Sequence, residues 1–315
     1  MNKITVSAPG KLMLFGEHAA LFQKPCIVTA VNQRMKATVE FTNTSSFELQ
    51  APDVDITSYQ KSISELGKGD IPKEARFVEM AVKNFVKKYP LKHGIKILTT
   101  SEFSSLFGFG SSSASTVCVI KALSELFNIN LDNKQIFDLA YKTVIDIQKK
   151  GSGFDVAAAI YGGTLYFVTG GEIVKPLSVS ELPIVVGYSG KKADTIAIIN
   201  QVSRKTKVFI EIAKVVANAQ EALEKKDWKQ TGELMNKNQM FLKNLGVSTK
   251  KLDLMIAASL SRGAYGAKLS GAGGGDCMIA LVDESKRRLV EKAIKNTGGQ
   301  VIDVSVNAEG VRIES

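Results

Sequence analysis

Apolar and polar residues alternate from Lys3 to Ser7, the spacing of an edge or half-buried strand, and Pro9-Gly10 ends the run. LMLF at 12–15 reads as a short buried strand that turns at Gly16, Glu17 and His18. Residues 27–41 read as two strands around Asn32-Gln33, with ATVEF alternating. Ser, Asp, Pro and Gly crowd residues 42–72, which predicts a loose insert over a site. Helical spacing then sets in at 75–88, and a strand follows at 95–99. Further helices are predicted to about 128 from Val117, over 134–147, 208–223, 228–245, 252–260 and 284–297, with a buried strand at 184–188. Strands at 300–305 and 310–313 close a β-α-β pattern and suggest a small split-βαβ domain. Gly170-Gly171 marks the expected boundary between domains 1–169 and 170–315.

A chain of 315 residues suits two domains of ordinary size, and 44% apolar with 23% charged residues is the composition of a soluble globular protein. No signal peptide or uncharged apolar run of membrane-spanning length is read, so the expected location is cytoplasmic. Cys26, Cys118 and Cys277 lack metal or disulfide spacing and read as small buried apolar residues. The net charge of +10 is dispersed along helices among acidic residues, as in EALEKKDWK at 221–229. Without an aromatic-basic block this argues against nucleic acid as a partner, while a positive field favours polyanionic small substrates.

The chemistry concentrates in SSLFGFGSSSASTVC at 104–118. Gly108 and Gly110 permit close backbone approach, and the serines after them can supply N-cap oxygens. The unpartnered N–H groups of the first helical turn would converge on an anion. The loop is neither GxxxxGK[ST] nor GxGxxG, so it lacks the signature residues of P-loop ATPases and of dinucleotide-binding proteins. Asp155, in KGSGFDVAAAIYGG, either caps the following helix or serves as a functional carboxylate. His93 sits in a turn and is assigned no role.

Three glycine-bearing motifs occur in order: SAPGKLMLFGEH at 7–18, the loop at 104–118 and KLSGAGGGDCMIAL at 268–281. With them the chain resembles, over essentially its whole length, the GHMP kinases, the family of galactokinase, homoserine kinase, mevalonate kinase and phosphomevalonate kinase. The resemblance implies an α+β fold in two domains: an N-terminal mixed sheet with helices, and a C-terminal ferredoxin-like split-βαβ domain. It implies phosphoryl transfer from ATP, with Gly108, Gly110, Ser111, Ser112 and Ser113 on the phosphates and Ser112 on Mg²⁺. Lys11 and Asp155 take the catalytic roles, Asp155 accepting or orienting the hydroxyl proton while Lys11 keeps it ionised and offsets phosphoryl charge. Glu17, His18, Ser152, Gly153, Lys191, Gly273 and Gly274 are the expected acceptor-binding residues.

The GEHA stretch, MNKNQMFLKNLGVS at 235–248 and GAYGAKLSGAGGG are similar to mevalonate kinases, whereas GSGFDVAAAIYGG, SGKKADT at 189–195 and Asp276 are similar to phosphomevalonate kinases. The expected reaction is therefore phosphorylation of the 5-hydroxyl of mevalonate, with mevalonate 5-phosphate as alternative acceptor and a non-catalytic ligand-binding protein as the remoter one. Two departures stand out. Val144 occupies the position of a glutamate that binds a second magnesium in mevalonate kinases, leaving Asp146 or Glu17 as substitutes, and FSSLFGFG lacks the family's usual proline and leucine. A homodimer is compatible with this reading; no membrane partner is expected.

Overall fold

The computed structural model describes residues 3–91, 93–202 and 206–314, and of residue 196 the backbone alone. Two strands frame it, β1 (Lys3–Phe15) and β2 (Cys26–Thr42), paired antiparallel along almost their full length. Each was expected to be broken; each is continuous. Pro9 pairs with Arg34 and the next residue, Gly10, with Val31, so Asn32 and Gln33 bulge out of the ladder. The bulged residues are held from outside: Asn32 N–H donates to Ser305 O at 2.8 Å, and Gln33 Nε2 to Asp303 O at 3.1 Å.

Residues 42–72 are not a loose insert. Strands β3 (Ser46–Ala51) and β4 (Ile56–Ser62) form a hairpin whose β3 joins β5 (Gly94–Ser101) in parallel. Phe47 and Leu49 alternate with polar residues and are fully buried, which fixes the register; Pro52, Asp53 and Asp55 fall at the turn between the two strands. The sheet also takes in β6 (Thr164–Val168) against β2 and β7 (Ile173–Pro176) against β6. Helices α1 (Arg76–Lys88), α2 (Ser111–Leu126), α3 (Asn133–Gln148) and α4 (Phe154–Tyr161) cover it, with α2 seated on β1 and β2.

A second sheet follows from β8 (Ile184–Tyr188), then α5 (Thr195–Val202), α6 (Thr206–Glu224), α7 (Trp228–Leu245) and α8 (Lys250–Ser261). Strands β9 (Gly266–Ser270) and β10 (Cys277–Leu281), helix α9 (Arg287–Asn296) and β11 (Gln300–Ile302) complete it in the order β11-β8-β10-β9. That order is the split-βαβ arrangement. The last strand, β12 (Arg312–Ile313), belongs elsewhere: it crosses back to pair with β1 in the first sheet. The sheets part after Pro176, because Gly170 and Gly171, both at φ 75°, turn a β6–β7 hairpin. A boundary at residue 170 would cut that hairpin. Among the described residues no helix is long and apolar enough to cross a membrane, and all three cysteines are buried free thiols.

Candidate active site

Helix α2 begins at Gly110, an N-cap at φ 80° with no side-chain capping bond. The expectation that the serines would cap the helix is not met; their N–H groups are left to the cleft, where they and the helix dipole favour an anion. The preceding loop is tied to β1 twice, by Lys11 N–H to Phe109 O at 2.9 Å and Lys11 Nζ to Gly108 O at 2.8 Å. Ser115 and Thr116 donate back to Ser112 O, and among the described residues no bond occupies the Ser112 hydroxyl, which borders the cleft.

Asp155 sits in the first turn of α4, entered through Gly153 at φ 91°. It does not cap its helix. Its Oδ2 accepts from Ser113 Oγ at 2.8 Å, which joins the N-termini of α2 and α4. Lys11 lies close by, since a methyl group at Gly110 would fall 3.1 Å from Lys11 Cε and 3.6 Å from Asp155 Cβ. Lys11 nevertheless makes no ion pair with Asp155; its ammonium bonds the Gly108 carbonyl and lies 5.4 Å from the Phe154 ring centroid.

His18 and Ser152 stand in the wall of the same cleft, 6% and 3% exposed. The His18 Nε2 bond to Ala272 O, at 2.8 Å, must be donated by the ring because a carbonyl only accepts. Nδ1 is then a bare acceptor, buried and without a partner among the described residues, and Ser152 Oγ is likewise buried and without one. Burial holds the imidazole below its usual pKa, partly offset by the Ala272 bond. Two orphaned polar atoms in a cleft wall are what a ligand with hydroxyl groups would satisfy.

Several expected acceptor residues lie elsewhere. Glu17 is fully buried behind the cleft, ion-paired with the equally buried Lys268, so it cannot meet a ligand there. The loop lysine that lines the cleft is Lys192 rather than Lys191, whose carbonyl instead accepts from Asp276 N–H at 2.7 Å. In the third glycine loop Gly271 and Ala272 border the cleft, while Gly273 packs on Val247 and Gly274 on Ile198. Gly153 supports from below, against Tyr141.

Asp276, which carried no assignment to the site, is part of it. It lines the cleft at φ 54°, and a methyl group at Gly108 would come within 2.6 Å of its Oδ2. Its Oδ1 accepts from Ala193 N–H at 2.9 Å and its carbonyl from Ser189 N–H at 2.9 Å, so it is bonded to the 189–195 loop while it packs against Gly108 of the phosphate loop. Burial raises its carboxyl above the usual range, against the lowering pull of the Ala193 bond, Lys11 and Lys192. Asp in a Gly-rich turn was the available signal; its partner, Gly108, was not readable.

Two cavities meet here. One, about 240 Å³, holds Lys11, His18, Ser152 and Asp155 against an apolar side that includes Met13, Leu21, Val144 and Ile199. The other, about 490 Å³, runs under the β3–β4 hairpin past Asp53, Lys73, Phe77 and Ser101. They share Ser105, Ser111, Ser112 and Lys192, that is, the mouth of α2. Of the substitutes considered for the missing glutamate, Glu17 is buried away and Asp146 is engaged by Asn84 and Lys142. Among the described residues no cluster of three or more His, Cys, Asp or Glu forms a metal site by itself. The oxygen donors at hand, Ser112 and Asp155, fit a Mg²⁺ ion that takes its other ligands from phosphates and water.

Comparison with known proteins identifies the family. The pattern of the GHMP kinases N terminal domain matches residues 76–163, and that of the GHMP kinases C terminal matches 219–300. A mevalonate kinase of Pyrococcus abyssi is 34% identical over 330 aligned residues, covering 99% of this chain and 98% of the relative. One of Thermococcus gammatolerans is 35% identical over 333, with the same coverage. The crystal structure of the Methanococcus jannaschii mevalonate kinase superposes with a TM-score of 0.83 at 28% identity, covering 99% of this chain and 98% of the other. The chain therefore belongs to the GHMP kinase family and is similar over its full length to archaeal mevalonate kinases.

Proposed function

We propose that this chain is an ATP- and Mg²⁺-dependent kinase that phosphorylates the 5-hydroxyl of mevalonate. The observation that carries the reading is the meeting of the two cavities at the N-terminus of α2. A donor nucleotide in the larger and an alcohol in the smaller would bring a γ-phosphoryl group and a hydroxyl together at Ser111–Ser113, Lys11 and Asp155. The smaller cavity suits a short branched hydroxy acid. Lys150 and Lys192 supply cations for a carboxylate, Leu21, Val144 and Ile199 an apolar wall for hydrocarbon, and His18 and Ser152 partners for hydroxyls. The similarity to archaeal mevalonate kinases favours the same substrate.

In this reading the first-turn N–H groups of α2 hold the phosphates, and Ser112 with Asp155 would hold the ion, which offsets charge on the β and γ oxygens. Asp155, oriented by Ser113, accepts or directs the proton of the attacking hydroxyl. Lys11, free of an ion pair with Asp155, directs its charge at the phosphoryl group.

ATP consumption with Mg²⁺ and, separately, mevalonate, mevalonate 5-phosphate, homoserine or galactose tests this, with the product's phosphate position read by phosphorus NMR. Conversion of mevalonate to its 5-phosphate is expected. Turnover of mevalonate 5-phosphate alone would make Asp276 and the 189–195 loop the better reporters of substrate, and no turnover would favour a ligand-binding protein.

A further inference from the structure

Glu17 and Lys268 form an ion pair with both side chains 0% exposed, between the turn that ends β1 and strand β9 of the second sheet. Glu17 Oε2 also accepts from Asn238 Nδ2 of α7 at 3.2 Å, and Lys268 Nζ donates to Leu269 O. Such a pair is weak support for stability, because desolvation cancels much of the attraction. Its position suggests another use.

The next residue, His18, has φ 61° and ψ −41°, and Ala19 N–H donates to Glu17 O at 2.7 Å. That is a γ-turn of the rare, positive-φ kind, costly for a residue with a side chain. Strain of this sort persists only where the surroundings over-determine it. Three restraints do so here. Gly16, at φ 98°, is pressed against Cys26; Glu17 is pinned by Lys268 and Asn238; and the His18 ring is held by Ala272 O. The same seam is locked one step earlier, where Ser270 Oγ accepts from Met13 N–H and donates to Met13 O.

We infer that the buried Glu17–Lys268 pair is a positioning device that holds the γ-turn at His18 and so keeps the His18 ring in the wall of the acceptor cleft. This rests on the kinase reading above for the identity of the acceptor. The pair acts through His18 and touches no substrate.

Replacing both partners together, Glu17→Met with Lys268→Met, removes the charges without leaving one uncompensated. The expected result is a folded protein with ATP KM within twofold of wild type and acceptor KM raised tenfold or more. Asn238→Leu, which keeps both charges, should raise acceptor KM about threefold, a loss in the range of one hydrogen bond. His18 and His93 are the only histidines, so the His18 ring signals can be followed by NMR without substrate. In the double variant they should move toward those of exposed His93. A folded double variant with wild-type acceptor KM and unmoved His18 signals would overturn the inference. If the double variant does not fold, unchanged acceptor KM in Asn238→Leu would do so. The NMR readout needs no turnover, so a wild type inert toward mevalonate would sink the substrate reading and leave this one standing or falling on His18.

Discussion

Ser113 Oγ donates to Asp155 Oδ2 at 2.8 Å across 42 residues of sequence, so the helix that begins the phosphate loop and the carboxylate beside it are one unit. The bond leaves Oδ1 of Asp155 for other partners and orients the carboxylate toward the cleft. Removing the charge while keeping the shape isolates its chemical role. Asp155→Asn should lower kcat by about 10²–10⁴-fold, the range for a lost general base. ATP affinity, measured by calorimetry, should stay within about threefold because the α2 N–H groups remain. A near-wild-type rate would remove Asp155 from the mechanism.

The neighbouring serines separate by what they touch. Ser113→Ala deletes the bond to Asp155 and is expected to lower kcat by about tenfold, the equivalent of one modest hydrogen bond, with a smaller effect on the Mg²⁺ requirement than Ser112→Ala. Ser112→Ala should do the reverse, raising the Mg²⁺ concentration for half-maximal rate. A metal titration of both variants decides the assignment, and identical metal dependence in the two would refute it.

Gly108 and Asp276 are matched. Gly108→Ala puts a methyl group against Asp276 Oδ2 at a backbone φ of 73°, which L side chains seldom adopt. ATP KM should rise at least tenfold. Adding Asp276→Gly removes the clash but not the backbone penalty, so ATP KM should recover only in part. Strict additivity of the two substitutions would show that the contact does not couple the loops.

His18 gives a pH signature in stability. Its folded pKa is lowered by burial, so between that value and about 6.5 the unfolded chain binds more protons than the folded one. Stability is then full above about pH 6.5 and falls as pH drops toward the folded pKa, by at most about 1.4 kcal/mol per pH unit for this one group. Urea unfolding of wild type and His18→Asn from pH 5 to 7.5 checks it. The variant should show the shallower slope, and equal slopes would contradict the buried neutral imidazole.

Gly108, Gly110 and the three serines were picked out by a local signal, glycine and serine before a helix, and Lys11 and Asp155 by the resemblance to the GHMP kinases; the structure brings all of them to one cleft. Glycine before a helix reports backbone angle and close approach, and serine or aspartate at a helix start reports the chemistry of unpaired N–H groups. A split-βαβ unit was also legible, from the alternation of strands and helices near the end of the chain, but its strand order was not, and the 310–313 segment counted with it pairs with β1 in the first sheet. The 46–62 hairpin was missed because turn-forming residues outnumbered the few apolar positions that set its register, Phe47 and Leu49.

Tertiary structure alone decided direction and partnership. Glu17 and His18 are adjacent, yet a γ-turn sends one into the core toward Lys268 and the other toward the cleft. No periodicity encodes that divergence, because it depends on contacts 251 and 254 residues away. The choice of Lys192 over Lys191, the closeness of Asp276 to Gly108 and the return of β12 to β1 have the same origin. Sequence fixes which groups a segment can offer; which cavity each enters is set by packing between segments far apart in the chain.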